Sequence, residues 1–270
     1  TDFIERAPES FKDAKYSAMR ERSVGLGVMG FHSFLQKNSI PIESVMSKVW
    51  NNKIFKHIQT HADESSKKLA EERGPCPDSE EYGFKERFSN KTAIAPTASI
   101  SIICGGASPG VEPVAANSYT HKTLSGSYNV RNRYLKKILK KHGKDDDETW
   151  STITTNQGSI SHLDFLTNHE KDVFKTAFEL DQKWIVELGA ERTPYVSQAQ
   201  SINIFLPADV HKKELHQIHF QAWKKGLKSL YYCRSKSIQR AENVNNGLST
   251  VATNKESKEA QDYEECLSCQ

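Results

Sequence analysis

The sequence contains few cysteines and no long apolar run. Five of its 270 residues are cysteine, an odd and sparse set that does not suit a disulfide framework. A reducing, cytoplasmic compartment is therefore expected. No stretch approaches eighteen consecutive apolar residues, so no membrane-spanning segment is predicted. The N-terminal sequence TDFIERAPES also lacks the basic-then-apolar pattern of a secretory signal peptide.

Charge of one sign is not in excess either. The chain carries 37 basic and 34 acidic residues, with a net charge of +3, which gives no general attraction to nucleic acid. A local basic run in residues 131–141 is followed by Asp145, Asp146 and Asp147. Because only Tyr134 adds an aromatic ring to this run, a solvated helix and a surface loop are favoured over a nucleic-acid-binding helix. No direct nucleic-acid partner is predicted.

A glycine-rich run, GLGVMGF at residues 25–31, has two interpretations. A dinucleotide-binding turn needs a buried strand before the glycines and an acidic residue about twenty positions later. The preceding residues Arg20, Glu21 and Arg22 make a poor buried strand. Close helix packing, in which small residues let two backbones approach, is therefore favoured.

Hydrophobic periodicity predicts two long helices. Apolar residues recur every three or four positions through residues 43–73, and Gly74 and Pro75 end this helix. Residues 168–188 show the same spacing, with Gly189 at the C-terminal end.

The pattern changes near the C-terminal third of the chain. Residues 201–206 alternate like a strand, residues 208–225 have helical spacing, and residues 227–233 read as a buried strand rich in apolar and aromatic side chains. A strand, a helix and a second strand in this order predict a β-α-β unit with parallel strands. The expected fold class is α/β.

Residues 92–113 are almost uncharged and rich in Ser, Thr, Gly and Pro. They predict a buried loop that enters a strand at Ile100–Cys104 and turns at Gly105 and Gly106. Within this loop, the segment APTASIS at residues 95–101 could hold a phosphate with backbone N–H groups and hydroxyls. Composition alone favours an ordinary turn.

Two adjacent tyrosines, Tyr231 and Tyr232, end the predicted buried strand. Neighbours on a regular strand point to opposite faces of the sheet. A working pair would therefore need a distortion or a strand end that brings the rings together, and packing is otherwise the favoured interpretation.

The C-terminal residues 235–270 differ from the rest of the chain. They are rich in Asn, Ser, Lys and Glu and predict a flexible tail that follows a folded part at residues 1–234. The tail ends in Cys266-x-x-Cys269. A structural zinc site needs four ligands, and no second CxxC is present, so no metal site is predicted. A mobile redox dithiol is favoured over an incidental exposed pair.

These features occur together in an order that resembles one family. APTASIS, then CGGASPGVEP, then the long segment of residues 191–235 ending in YYCRS, then the terminal cysteine pair, resemble the C-terminal part of the class I ribonucleotide reductase large subunit. The resemblance runs from about Arg22 to Gln270. It implies the C-terminal portion of a ten-stranded α/β barrel, and an oxidoreductase that makes deoxyribonucleoside diphosphates from ribonucleoside diphosphates by radical chemistry.

The resemblance also implies roles for particular residues. The residues implied to line the substrate diphosphate site are Thr97, Ala98, Ser99 and Ile100. Tyr231 and Tyr232 match tyrosines that relay an electron and a proton between the small subunit and the active site. Cys266 and Cys269 match a shuttle pair that re-reduces the active-site disulfide.

The implied partners lie outside this chain. They are the small subunit with its dimetal-tyrosyl radical, thioredoxin or glutaredoxin as the dithiol source, and an N-terminal large-subunit polypeptide. That polypeptide is expected because no N-x-C-x-E pattern for the thiyl cysteine occurs here, and Cys76, Cys104 and Cys233 do not match the upstream active-site cysteines. The chain, which is expected to bind no cofactor itself and to be inactive alone, would then be half of a split enzyme or a piece of a longer one. The alternative is an inactive regulatory or binding fragment of the same fold.

Overall fold

Helices predominate in the computed structural model, which describes residues 2–123 and 126–235. The helices are α1 (Asp2–Glu5), α2 (Lys12–Glu21), α3 (Phe31–Lys37), α4 (Val45–Arg73), α5 (Pro77–Glu81), α6 (Ala98–Ile103), α7 (Arg133–Lys141), α8 (Asp147–Thr155), α9 (Asn168–Val173), α10 (Gln182–Arg192) and α11 (Lys212–Lys224). The strands are β1 (Ser118–Thr123), β2 (Gly126–Arg131), β3 (Ile204–Leu206) and β4 (Cys233–Ser235). Among the described helices, none has the length and apolar content needed to cross a bilayer.

Four extended segments run side by side and parallel, and they form the framework of the fold. Their spatial order follows the chain: residues 24–28, 91–95, 198–206 and 231–235. Single parallel bridges join Leu26 to Thr92 and Ile94 to Gln200, and β3 pairs with β4 in parallel. Helices lie between consecutive segments, as they do in parallel α/β folds. The expected α/β fold class is confirmed, and so is the predicted parallel β-α-β unit, with α11 between β3 and β4.

An antiparallel hairpin, β1 with β2, stands apart from the parallel series. Its register pairs Ser118 with Arg131 and Tyr119 with Val130. The Asn132 side chain then caps α7 by accepting the N–H groups of Tyr134 and Leu135. The hairpin thus leads directly into the helix that the basic run predicts.

Two hydrophobic clusters hold these elements together. The larger lies between the parallel segments and helices α3, α4, α10 and α11 and includes Phe31, Leu35, Phe55, Ile94, Val186, Leu188, Ile202, Ile204 and Ile218. The smaller joins α7, α8 and residues 160–174 through Leu135, Leu139, Trp150, Ile153, Ile160 and Phe174. Burial of these apolar side chains is the main stabilising contribution.

The predicted helix at residues 43–73 is confirmed as α4, which begins after the N-cap Ser44 and ends at Gly74. The helix predicted at residues 168–188 is wrong as a single element. It is divided into α9 and α10, because Thr167 starts one helix with a capping box and Asp181 caps a second. Each cap accepts backbone N–H groups and so favours a new helix start inside an apolar periodicity.

Two glycines act at places where chains approach closely. A Cβ on Gly27 would lie 2.5 Å from the carbonyl oxygen of Ala93, and one on Gly189 would lie 2.7 Å from Cδ1 of Ile202. The close approach predicted for the glycine run therefore exists, but it is between two extended segments and not between helices. Gly189 lies inside α10 and does not end it.

Two predicted strands differ in the structure. Ile100–Cys104 falls in and just after α6, where Ile100, Ile102 and Ile103 are exposed. The strand predicted at residues 227–233 begins only at Cys233, and Tyr231, Tyr232 and Cys233 are exposed and not buried. In residues 227–233, Leu227 and Leu230 pack against the larger cluster, and the exposed side chains are those of Tyr231, Tyr232 and Cys233. The three isoleucines of the other segment are exposed, so its apolar pattern does not correspond to burial within this chain.

A charged side chain is buried inside the larger cluster. Arg192, which is 1% exposed, donates from Nε to Oε1 of Gln200 (2.8 Å) and from Nη1 to Oδ1 of Asn51 (3.0 Å). Its guanidinium also lies 5.8 Å from the ring centre of Phe31 and 5.5 Å from that of Phe55. Burial lowers the pKa of Arg192 to about 9, so the guanidinium remains charged at neutral pH.

Arg192→Met is therefore expected to lower the free energy of unfolding by about 2–3 kcal/mol, because two buried amide oxygens lose their donors. Urea unfolding followed by circular dichroism measures the change. Arg6→Met, at an exposed position, is the matched control and should change stability by less than about 0.5 kcal/mol. Equal stabilities for the Arg192 variant and the parent would contradict the assigned role.

Candidate functional site

Tyr231 and Tyr232 lie immediately before β4, at an end of the parallel series. Their ring centres are 4.2 Å apart with an interplanar angle of 53°. Each side chain is 43% exposed. The backbone at these residues is irregular, which provides the strand end needed for adjacent rings to meet.

The backbone of the tyrosine pair is held by the neighbouring segment. Tyr231 donates its N–H to the carbonyl of Ile202 (2.8 Å), and the carbonyl of Tyr232 accepts from the N–H of Ile204 (2.9 Å). The remaining N–H, that of Tyr232, donates to Oδ1 of Asn203 (3.0 Å). Asn203 is buried. Its side-chain amide therefore holds the backbone of Tyr232 where the regular strand pairing ends.

Asn203 is in turn held by a buried carboxylate. Oε1 of Glu112 accepts the N–H of Asn203 (3.2 Å), and Glu112 is only 6% exposed. Burial raises the pKa of Glu112, while the hydrogen bonds from Asn203 and the charge of Arg234 oppose that shift. The Arg234 guanidinium also lies 5.8 Å from the ring centre of Tyr232. The Tyr232 ring therefore lies beside a cation, and the backbone of Tyr232 is linked through Asn203 to a buried acid.

Neither Glu112 nor Asn203 is among the predicted site residues. One feature of the sequence could have indicated Glu112. It is the charged residue in an otherwise uncharged stretch from residue 92 to residue 113. Asn203 has no such signal in the sequence.

The neighbouring Cys233 is an exposed free cysteine. Desolvation raises the pKa of its thiol, so the thiol form is favoured at neutral pH. This position does not favour a reactive thiolate next to the tyrosines.

The predicted diphosphate segment, Thr97 to Ile100, forms the start of α6. Thr97 has φ 54°, in the left-handed region. Its Oγ1 accepts the N–H of Gly110 (2.7 Å) and makes no capping hydrogen bond to α6. The first N–H groups of a helix have no acceptor within the helix, and here the preceding hydroxyl leaves them open. Ser99 and Ile100 are exposed at the same place.

One loop, residues 110–112, links this segment to the tyrosines. At one end Gly110 donates to Thr97, and at the other Glu112 accepts from Asn203, which holds Tyr232. The strand pairing is consistent with this link. Ile94 pairs with Gln200 in a parallel bridge. Thr97 lies three residues after Ile94, just as Asn203 lies three residues after Gln200. The structure therefore brings the tyrosine pair and the predicted diphosphate segment to one end of the parallel series.

Residues 2–86 and 78–233 match the family model described as the ribonucleotide reductase barrel domain. The chain belongs to the ribonucleotide reductase barrel family. The expected resemblance to the large subunit is confirmed by this match.

The ribonucleotide reductase relatives include viral large subunits. The chain is 47% identical over 248 residues to the ribonucleoside-diphosphate reductase large subunit of Invertebrate iridescent virus 6, covering 90% of this chain and 26% of that protein. It is 37% identical over 271 residues to the putative large subunit of Frog virus 3, covering 99% of this chain and 46% of that protein.

A solved ribonucleotide reductase has the same fold. The class Id alpha subunit of Actinobacillus ureae superposes with a TM-score of 0.81 at 38% sequence identity, over 87% of this chain and 44% of that one. The described chain is thus an α/β portion of the reductase barrel, and it spans less than half the length of these relatives.

The remaining predicted residues lie outside the described part of the reductase chain. Cys266, Cys269 and the predicted tail from residue 236 onward are not among the described residues, and the family match ends at residue 233. Within the described ranges, no group of three or more His, Cys, Asp or Glu side chains could hold a metal ion. Cys76 is buried, whereas Cys104 is exposed like Cys233.

Proposed function

We propose that this chain provides the C-terminal part of the catalytic barrel of a class I ribonucleoside-diphosphate reductase. In that role it helps to reduce ribonucleoside diphosphates to deoxyribonucleoside diphosphates. The observation that carries the proposal is the pair of tyrosine rings, whose centres are 4.2 Å apart. The backbone N–H of Tyr232 donates to Asn203, and the backbone N–H of Asn203 donates to Glu112, in the loop that also holds Thr97. A fragment that only binds another molecule has no evident use for such a pair.

The proposed roles follow from the chemistry of the side chains. A phenol can lose an electron and a proton together, so Tyr231 and Tyr232 pass a radical equivalent inward from a small subunit that carries a dimetal-tyrosyl radical. The open N–H groups at the start of α6 and the hydroxyl of Ser99 are suited to a substrate diphosphate. Cys266 and Cys269 re-reduce the active-site disulfide, with thioredoxin or glutaredoxin as the dithiol source.

The thiyl cysteine is proposed to come from outside this sequence, because no N-x-C-x-E pattern occurs in it. The structure supports a missing neighbour in one further respect. The outer extended segment of residues 24–28 bonds to residues 90–93 on one side, and its apolar Val24 and Leu26 are 41% and 55% exposed. Exposed apolar edges of a sheet favour pairing with another strand. That strand could belong to a longer chain or to a separate polypeptide.

Reconstitution tests the proposed function. The purified chain is mixed with a polypeptide carrying the rest of the barrel, a small subunit and dithiothreitol, and formation of dCDP from CDP is measured. Turnover is expected only in the complete mixture. Turnover by this chain and the small subunit alone would contradict the need for the complementing polypeptide, and an inactive but stably assembled complex would contradict the catalytic role.

A further inference from the structure

A cavity of about 360 Å³ lies among α3, α6, α7 and the β1–β2 hairpin. Its walls are mostly small or apolar, including Ala98, Pro109, Val114 and Val130. The polar residues that line it are amides, hydroxyls and arginines, and no Asp or Glu is among the lining residues. The composition therefore suits a ligand with an apolar body and no positive charge.

The orientation of the amides beside the cavity is fixed by the backbone. Asn132 is the N-cap of α7, so its Oδ1 accepts the N–H groups of Tyr134 (3.0 Å) and Leu135 (3.3 Å). Its Nδ2 must then face the other way. It donates to Oε1 of Gln36 (3.0 Å) and to Oδ1 of Asn117 (2.9 Å).

Asn117 completes the row and confirms its direction. Its Nδ2 donates to the carbonyl oxygens of Gly158 (3.0 Å) and Phe174 (2.7 Å). A flipped Asn117 would place its oxygen against two carbonyls and lose both bonds. Main-chain groups therefore fix the orientation of the Asn132 and Asn117 amides, and Asn132 in turn fixes that of Gln36.

Gln36 ends this row with a donor that has no acceptor. Its Oε1 is occupied by Asn132, so the other terminal atom is the amide nitrogen Nε2. Gln36 lines the cavity and is 3% exposed, and Nε2 has no hydrogen-bond partner within the described structure. A buried donor without an acceptor is destabilising, so an acceptor from outside the chain is favoured at this point.

Two arginines give the cavity its charge. Arg131 is already paired with Asp147 at 2.7 Å. Arg133 is exposed, lies over Gly105 and contacts the ring of Tyr134, and none of the ion pairs among the described residues includes it. An anionic group on the ligand would therefore find a guanidinium at the cavity without displacing a protein carboxylate.

We propose that this cavity is a binding site for a small planar carboxylate. A carboxylate oxygen accepts a hydrogen bond from Nε2 of Gln36, the ring packs against Pro109, Val114 and Val130, and Arg133 balances the charge. The assignment requires nothing from the proposed reductase activity.

Titration with 4-methylbenzoate, followed by isothermal calorimetry, tests the site in the full chain. Saturable binding at one site per chain is expected, and 4-methylbenzylamine, with the same ring and the opposite charge, should not bind. Gln36→Glu keeps the acceptor for Asn132 but replaces the free donor by a carboxylate oxygen, and it should weaken binding at least tenfold. Gln217→Glu makes the same change at an exposed position of α11 and should leave affinity unchanged.

Arg133→Gln provides a second test at an exposed position, in case Gln36→Glu does not fold, and it should weaken binding severalfold. The proposal is wrong if 4-methylbenzoate does not bind the parent chain, which would leave water as the occupant of the cavity. It is equally wrong if the folded Gln36 and Arg133 variants bind as tightly as the parent, or if the amine binds as well as the carboxylate.

Discussion

Replacing either paired tyrosine, as Tyr231→Phe or Tyr232→Phe, is expected to abolish CDP reduction by the reconstituted enzyme while leaving the fold unchanged. Phenylalanine keeps the ring, so the 4.2 Å contact between the two ring centres is retained. Only the phenolic O–H is lost, and with it the ability to give up a proton together with an electron. A fall of at least about a hundredfold is expected, as for other groups that must transfer a proton.

The measurement is the rate of dCDP formation at saturating small subunit, together with far-ultraviolet circular dichroism and a thermal melt of each variant. Tyr82→Phe removes the same hydroxyl from a tyrosine that is 75% exposed in the loop after α5, and it should keep full activity. If either variant of the pair retains more than about a tenth of parental turnover with its fold intact, the relay assignment fails.

The sequence predicts best those elements whose signal is local and whose apolar face is covered by this chain. Helix α4 has an unbroken periodicity, a Ser44 cap and a Gly74 stop, and its boundaries agree with the prediction to within two residues. The β3–α11–β4 unit is also correct in order and direction. In these elements periodicity, caps and burial all favour the same structure.

The errors occur where apolar residues are not buried by this chain. Ile100 to Ile103 look like a buried strand, yet they form a short helix with exposed isoleucines. Tyr231 and Tyr232 look like core residues for the same reason. An apolar sequence pattern indicates that side chains are buried, but it does not show whether the residues that bury them belong to the same chain.

The candidate site divides in a similar way. The tyrosines and the segment at Thr97 to Ile100 are found from the sequence through the family resemblance, since their residue types alone favour packing and an ordinary turn. The hydrogen bonds that join them cannot, since Glu112 lies 91 residues from Asn203 along the chain. The left-handed backbone of Thr97 is a further example, because its threonine gives no local indication of a positive φ.

The second large effect concerns the terminal cysteines, which are predicted to act as a redox shuttle. Both cysteines lie outside the described residues. Cys266→Ser is expected to abolish multiple turnover driven by thioredoxin while permitting one round from a fully pre-reduced complex. The reason is that disulfide exchange needs one thiolate to attack and a second thiol to resolve the mixed disulfide, and a lone Cys269 cannot complete both steps. About thirty residues separate Ser235 from Cys266.

Rapid-quench measurement of dCDP separates the two phases. The variant should give the same first-turnover amplitude as the parent and then stop, with its steady-state rate reduced by at least about a hundredfold. Cys104→Ser removes an exposed cysteine that has no partner cysteine nearby in the sequence and should change neither phase. A variant that cycles normally with thioredoxin would show that reducing equivalents reach the active site without this pair. A variant that also loses its first turnover would place Cys266 in the chemistry of substrate reduction and not in the recovery step.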